Sequence, residues 1–245
     1  MATLSLTSAR WSPERIFYLG MTLAIALAVY VGFARSFFLR PLFPAWPSPA
    51  EPILYVHGAV FSGWCVLLVV QSALVTAGRT PLHRRLGVWG AGLAASMVAL
   101  GTHAALVAAR RDSGFVGLPV PPLQFLVVPI FDMLLFASFV TLAVVRRRDA
   151  QAHKRLMLLA TLNLITAAIA RWPGVIGVGS PLLFFFLSDL FLVPLVLWDR
   201  RTRGRLHPAT AWGAAAIVLS QPLRLAISAT PAWLAFAGWI VRSPL

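Results

Sequence analysis

Hydrophobic residues occur along this chain in seven long runs, separated by short segments that are basic or rich in proline. A helix of roughly 20 residues crosses a hydrocarbon core about 30 Å thick, because it rises about 1.5 Å per residue. Apolar residues fill each run instead of marking one stripe, which is typical of membrane-spanning helices and not of soluble amphipathic ones. The predicted spans are 15–33, 52–77, 83–109, 122–145, 153–171, 181–198 and 208–228.

The fold class follows from the same pattern, since a backbone inside lipid must satisfy its own hydrogen bonds and therefore forms helices. We expect an all-α polytopic membrane protein in which 1–245 form a single transmembrane domain, a bundle of about seven helices. The segment 229–245 is apolar but too short to span. Two arrangements stay open for it: an extension of the last helix beyond a proline kink, or a helix in the membrane interface, where Trp is favoured.

Composition agrees with a membrane protein, since 59% of residues are hydrophobic and 11% are charged. The net charge of +14 would also suit a nucleic-acid-binding protein, but the Arg residues lie between apolar runs instead of on one polar face. We therefore expect contact with lipid headgroups and no nucleic-acid partner. Of the 21 Lys and Arg residues, fourteen lie on one side of the predicted spans and six on the other. This asymmetry places the amino terminus in the cytoplasm and the carboxyl terminus outside.

Four histidines form two pairs in this topology. His57 and His103 lie near the outer ends of the second and third spans, and His83 and His153 lie at the inner ends of the third and fifth. Two imidazoles that face a common cavity from different helices can ligate a b-type haem, copper or zinc. His83 and His103 are separated by about 30 Å along one helix, so they would belong to different centres.

Each histidine also has an interpretation without a ligand. The inner pair adjoins Arg84 and Lys154, and a histidine at the headgroup boundary needs no metal. A lone outer histidine is satisfied by one hydrogen bond to a helix carbonyl. Helical spacing places Gln71 on the same face as His57, below two aromatic residues, where its amide would hold a quinone carbonyl or bond a neighbouring helix.

A second polar set lies deeper in the predicted spans, and it comprises Asp132, Asn163, Asp189, Gln221 and Arg224. We expect Asp189 and Arg224 to pair, because an unpaired charge at membrane depth is costly. Three roles remain open for this set: a structural ion pair, an anion contact such as a haem propionate on Arg224, or a proton path.

Short motifs resemble a family of uncharacterised multi-pass bacterial membrane proteins with an early His, a Gln and a His-Arg-x-Leu-Gly sequence. The matching positions are His57, Gln71, His83, Arg84, Leu86 and Gly87, followed by His153, Met157 and Arg171. The resemblance implies a multi-pass protein of the bacterial inner membrane and no assigned reaction. The histidine placement also has a looser likeness to b-type cytochromes, although His83 and His103 are spaced differently from the ligands of two stacked haems.

Three functions are consistent with these residues. The first is a haem-binding electron-transfer or quinone-linked redox protein, and the second is an accessory subunit or assembly factor that partners other membrane subunits. The third is a proton or small-solute pathway. The chain contains no phosphate-binding Gly loop, zinc-protease motif or hydrolase motif, and Lys154, its single lysine, is not deep in the last span as retinal proteins require. Whether the protein is an enzyme stays open.

Overall fold

The computed structural model describes residues 12–46, 51–115 and 117–243, and within these it contains eleven α-helices and no strand. A π-helical turn at Ala34–Phe38 and a 3-10 turn at Arg40–Leu42 follow the first helix. The helices are α1 Pro13–Phe33, α2 Pro52–Thr76, α3 Thr80–Ala109, α4 Pro122–Phe125, α5 Val127–Val145, α6 Ala150–Leu164, α7 Thr166–Ile169, α8 Pro181–Asp189, α9 Val193–Arg203, α10 Pro208–Ser228 and α11 Pro231–Arg242.

Local sequence explains where several helices begin. The side chains of Ser12, Asp149 and Thr230 each accept a backbone N–H from the first turn of the following helix. These bonds satisfy donors that have no partner within the helix. Proline stands in the first turn of most of the helices, where its missing N–H costs nothing. The proline and capping residues in the sequence therefore predicted the helix starts to within a few residues.

Five helical segments in the described residues are long and apolar enough to cross a membrane, which confirms an all-helical fold with several helices of membrane-spanning length. They are Pro13–Phe38, Pro52–Thr76, Thr80–Ala109, Pro122–Val145 and Pro181–Arg203. Helices α10 and α11 meet the same criteria only as a pair, and they are bent by 87° at the break between them.

The fifth predicted span, 153–171, differs from the others. It is divided at Ile165 into α6 and the short α7, and α6 carries the polar residues Lys154, Arg155 and Asn163. Protein surrounds it, since Leu159 and Ala160 are fully buried. A helix enclosed by other helices does not need an apolar surface, because its polar side chains find partners within the protein.

The helices form a ring around one end of the bundle. Helix α2 packs between α1 and α3, α3 also packs on α5, and α5 packs along α6. Helix α7 closes the ring by packing against α1, while α10 lies outside it against α5 and α6. The ring positions the side chains described below.

Helix α11 does not continue the direction of α10, because the 87° bend turns it across the bundle. It packs against α3 and α4, and the Trp233 Nε1 donates to the carbonyl of Leu123 at 2.9 Å. The Arg110 guanidinium donates to the carbonyls of Val241 and Ser243. The described part of 229–245, which ends at Ser243, therefore turns sharply after α10, and the two predicted arrangements, an extension beyond a proline kink and an interfacial helix, stay predictions.

Close contact between α1 and α7 gives a test of this packing. A Cβ at Gly32 would lie 2.3 Å from the carbonyl oxygen of Ala168. We expect Gly32→Ala to lower the free energy of unfolding by about 1–3 kcal/mol, because the two backbones must separate. Gly20→Ala is the matched control, since nothing lies within 4 Å of its Cβ position. Thermal unfolding of both variants in the same detergent measures the effect, and equal midpoints would contradict this packing.

Candidate functional site

A cavity of about 290 Å³ lies inside the ring, at the end of the bundle where α2 begins and α3 ends. Its volume is at the lower end of the range for small-molecule sites, which are mostly apolar with a few placed polar groups. The wall has this character, since aromatic and small residues dominate it. They include Phe37, Phe61, Trp64, Gly101, Ala104 and Ala105.

His57 is the histidine whose side chain lines this cavity. It projects from the second turn of α2 and stacks on Phe61, with 4.1 Å between ring centroids. The ring interacts with the backbone of Leu100 on α3, and its Nδ1 is buried without a hydrogen-bond partner. A buried polar atom without a partner costs free energy, so a bound molecule that hydrogen-bonds to Nδ1 would be favoured.

Two guanidinium groups also line the cavity, and they differ in their partners. Arg111 forms a bidentate ion pair with Glu51, with N–O distances of 2.7 and 3.0 Å. Arg171 donates to the carbonyl of Ala167 at 2.6 Å and lies over the ring of Phe33. Within the described residues Arg171 has no acidic partner. The cavity therefore has a positively charged edge with donors left for a ligand oxygen.

His103 is not part of this wall. At about 100° per residue it projects about 160° around α3 from Gly101 and from Ala105, which face the cavity. The prediction that His57 and His103 face a common cavity is therefore not met. The two residues occupy neighbouring levels of the bundle, as the spans implied, but their directions around the helix axes differ.

The inner histidines are close to each other. The ring centroids of His83 and His153 are 6.2 Å apart, and the rings are nearly perpendicular at 88°. Gln71 belongs with this pair and not with the cavity, because its backbone interacts with the His83 ring. The predicted face of α2 is therefore shared by two sites, with His57 at one end of the helix and Gln71 near the other.

The structure brings the second polar set together, but with different pairs from the one predicted. Arg224, which is 1% exposed, donates from Nη1 to Asp132 Oδ1 at 2.5 Å and from Nη2 to Ser220. Asn163 donates to the backbone carbonyl of Asp132 at 2.8 Å. The carboxylate of Asp189 instead accepts from Gln221 at 2.8 Å.

The predicted pair of Asp189 and Arg224 is thus wrong. Gln221 and Arg224 are one helical turn apart on α10, so either could have met the carboxylate on α8. The position of α5 decides the outcome, because it brings Asp132 to the level of Arg224. Asp132 also lines the cavity, so it is the residue shared by the cavity and the ion pair.

Sequence reasoning missed a second buried ion pair, between Arg155 on α6 and Asp199 on α9. Both side chains are almost fully enclosed, and Arg155 also donates to the side chain of Gln151 at 2.6 Å. Asp199 accepts the backbone N–H of His207 at 3.0 Å. In the sequence Arg155 is one of the fourteen basic residues assigned to the cytoplasmic side, and no partner is predicted for it. Helical spacing was the available signal, since Arg155 lies on the same face of α6 as the buried Leu159 and Asn163.

Comparisons with protein-family models, with curated proteins and with solved structures find no match for this chain. The resemblance of its short motifs to uncharacterised bacterial membrane proteins therefore stays a prediction.

The assignment of Asp132 as the partner of Arg224 predicts unequal effects of two matched substitutions. Asp132→Asn leaves the buried Arg224 charge uncompensated, so we expect it to lower the free energy of unfolding by about 3–5 kcal/mol. Asp189→Asn keeps an oxygen that accepts from Gln221 and should change stability by less than about 1 kcal/mol. Denaturant unfolding in mixed micelles measures both. A larger loss for Asp189→Asn would show that the pairs are exchanged.

His207 gives a prediction of pH dependence at the start of α10. Its Nδ1 accepts the backbone N–H of Ala209 at 3.0 Å, and this requires an unprotonated nitrogen. Burial, together with the nearby Arg155 charge, lowers the pKa of His207 below its usual 6.5. Its contribution to stability is therefore present above about pH 6.5 and lost as pH falls through the lower folded-state pKa.

The control for this effect is His207→Asn, which keeps a capping acceptor but does not titrate in this range. Between about pH 7.5 and 5, which lie on either side of the ordinary histidine pKa of about 6.5, we expect its unfolding midpoint to fall less than that of the wild-type protein. Thermal unfolding followed by circular dichroism measures both midpoints. Parallel curves would show that His207 does not contribute.

Proposed function

We propose that this chain is a quinone-linked redox protein of a bacterial inner membrane and that it binds a quinone ring in the cavity beside His57. The observation that carries the proposal is the buried, unpartnered Nδ1 of His57 on the aromatic wall of an apolar cavity. A quinone combines a flat apolar ring with two carbonyl oxygens, and it dissolves in the bilayer from which this cavity would be reached.

The proposed topology has seven crossings, with the amino terminus in the cytoplasm and the carboxyl terminus outside. Counting α6 and α7 as one crossing is supported by the packing of α6 along α5 and α10. The excess of Lys and Arg at one end supports the orientation. In this orientation the cavity lies in the outer half of the membrane, and His83 and His153 lie at the cytoplasmic side.

The cavity suits a single ring system better than a macrocycle. Its 290 Å³ is small for a ligand site, and Phe61 and Trp64 provide flat faces against which a ring can stack. Since the His57 ring donates to the backbone of Leu100, its Nδ1 is an acceptor and would accept the O–H of the reduced, hydroquinone form. Arg171 would donate to an oxygen at the charged edge of the cavity. With these two groups the ligand would be oriented as well as enclosed.

Haem b is the second candidate, and it rests on the inner histidine pair. Their centroid separation of 6.2 Å and perpendicular rings are compatible with two axial imidazoles on opposite sides of one iron. His57 and His103 give less support, because they do not share the cavity. A Soret band in protein from haem-replete cells would support haem, and a colourless preparation would remove this candidate.

A matched pair of histidine variants tests the quinone proposal. We expect the purified wild-type protein to bind the reduced form of a short-chain benzoquinone or naphthoquinone under anaerobic conditions, detected by quenching of tryptophan fluorescence. His57→Leu should weaken binding roughly tenfold, the effect of one lost hydrogen bond of about 1.4 kcal/mol. His103→Leu is the control, since position 103 lies near the same end of α3 but off the cavity wall.

His57→Gln should recover part of the affinity, because an amide again offers a hydrogen bond at this position. Saturable binding that both leucine variants weaken equally would place the ligand elsewhere. No saturable binding of either quinone class to the wild-type protein would refute the proposal.

A further inference from the structure

Three polar residues from three helices lie together at the end of the bundle opposite the cavity. They are Gln71 near the end of α2, His83 in the first turn of α3 and His153 in the first turn of α6. The two rings lie 6.2 Å apart, and the backbone of Gln71 interacts with the His83 ring. The Gln71 side chain runs beside the next turn of α3, where its Nε2 is 3.8 Å from the Cβ position of Gly87.

Two atoms of this cluster lack hydrogen bonds. His83 Nδ1 and Gln71 Oε1 are both buried and have no partner in the protein. Each such atom is costly, and native proteins satisfy nearly all of them with protein groups, water or ions. Two of them in one cluster indicate that a further species belongs there.

The orientation of His153 identifies the chemistry of that species. Its Nδ1 lies 2.9 Å from the backbone carbonyl of Ala143, so this nitrogen carries the proton and donates to the carbonyl. The neutral ring then has a lone pair on Nε2. Histidines that ligate metals are held in this way, because the hydrogen bond fixes the tautomer and the direction of the ligating nitrogen.

The spacing of the rings agrees with an ion between them. In a linear arrangement, a metal–nitrogen bond of about 2 Å on each side, with ring centres about 1 Å behind the nitrogens, separates two centroids by roughly 6 Å. The observed 6.2 Å matches this value. In the described residues no group of three or more His, Cys, Asp or Glu side chains forms a metal cluster, so the donors here are the two imidazoles.

We propose that His83 and His153 bind one late first-row transition-metal ion, Cu⁺ or Zn²⁺, between their two rings. Imidazole suits both ions. Zn²⁺ usually has three or four protein ligands, whereas Cu⁺ is stable with two imidazoles, so the donor set favours Cu⁺. This site does not depend on the proposed quinone function, since it shares no residue with the cavity wall.

The experiment uses the full chain, purified in detergent without a polyhistidine tag and stripped with a chelator. It is titrated with Zn²⁺ alone and, under anaerobic reducing conditions, with Cu⁺ alone, each in competition with a chromophoric chelator. We expect one equivalent to bind. Because removing a ligand should exceed the 10–100-fold effect of removing a group that orients one, His83→Leu and His153→Leu should each weaken binding by about 100-fold or more.

His103→Leu is the matched control, because it removes a histidine from the same helix as His83 about 30 Å away. Its metal affinity should equal that of the wild-type protein. X-ray absorption of the metal-loaded wild-type protein is a second measurement that needs no variant, and it should show two imidazole nitrogens at about 2 Å.

The outcomes are distinct from those of the quinone experiment. Tighter binding of Cu⁺ or of Zn²⁺ identifies the ion. Failure of both ions to bind with a stoichiometry of one, or equal weakening by His103→Leu and His83→Leu, overturns the proposal. A Soret band that His83→Leu abolishes would also overturn it, because the two imidazoles would then ligate haem iron.

Discussion

The enclosure of α6 by other helices is the constraint on which the rest of this structure depends. The helix carries Arg155 near one end and Asn163 near the other, and both are nearly inaccessible to solvent. Neither lipid nor water can satisfy them there, so neighbouring helices must. Asp199 pairs with Arg155, and Asn163 joins the group that contains Asp132 and Arg224. Helices α5, α9 and α10 are thereby positioned around α6 by polar contacts in a fold whose surface is mostly apolar.

These satisfied groups contrast with the atoms that remain unpaired. Six buried side-chain atoms lack partners in the described residues: Tyr18, Thr210 and Arg224 have one each, and the other three belong to His57, Gln71 and His83. These last three lie in the two candidate sites at opposite ends of the bundle. The unpaired imidazole nitrogen at each end is the feature on which the two proposed ligand sites rest. The proposed quinone would occupy one site and the proposed metal ion the other.

The sequence predicted how deep most of the candidate site residues lie along their helices. Spans and charge placed His83 beside His153, and the structure confirms that these rings are close. The same reasoning put His57 and His103 at one level, but it did not fix the rotation of α3, which turns His103 away from the cavity. Asp189 and Arg224 failed as a pair for a related reason. A span prediction gives the height of a side chain, and pairing also requires its direction and the identity of the neighbouring helix.

The sequence by itself determined that the chain forms long apolar helices, where most of them begin, and which polar residues lie at membrane depth. These properties are local, because hydrophobicity, proline and capping side chains act within a few residues. Only the tertiary structure decided that α6 is enclosed, that Arg224 meets Asp132, that α11 turns across the bundle and that an aromatic cavity forms beside His57. Each of these depends on contacts between residues far apart in the chain, where packing selects one partner from several of equal chemistry.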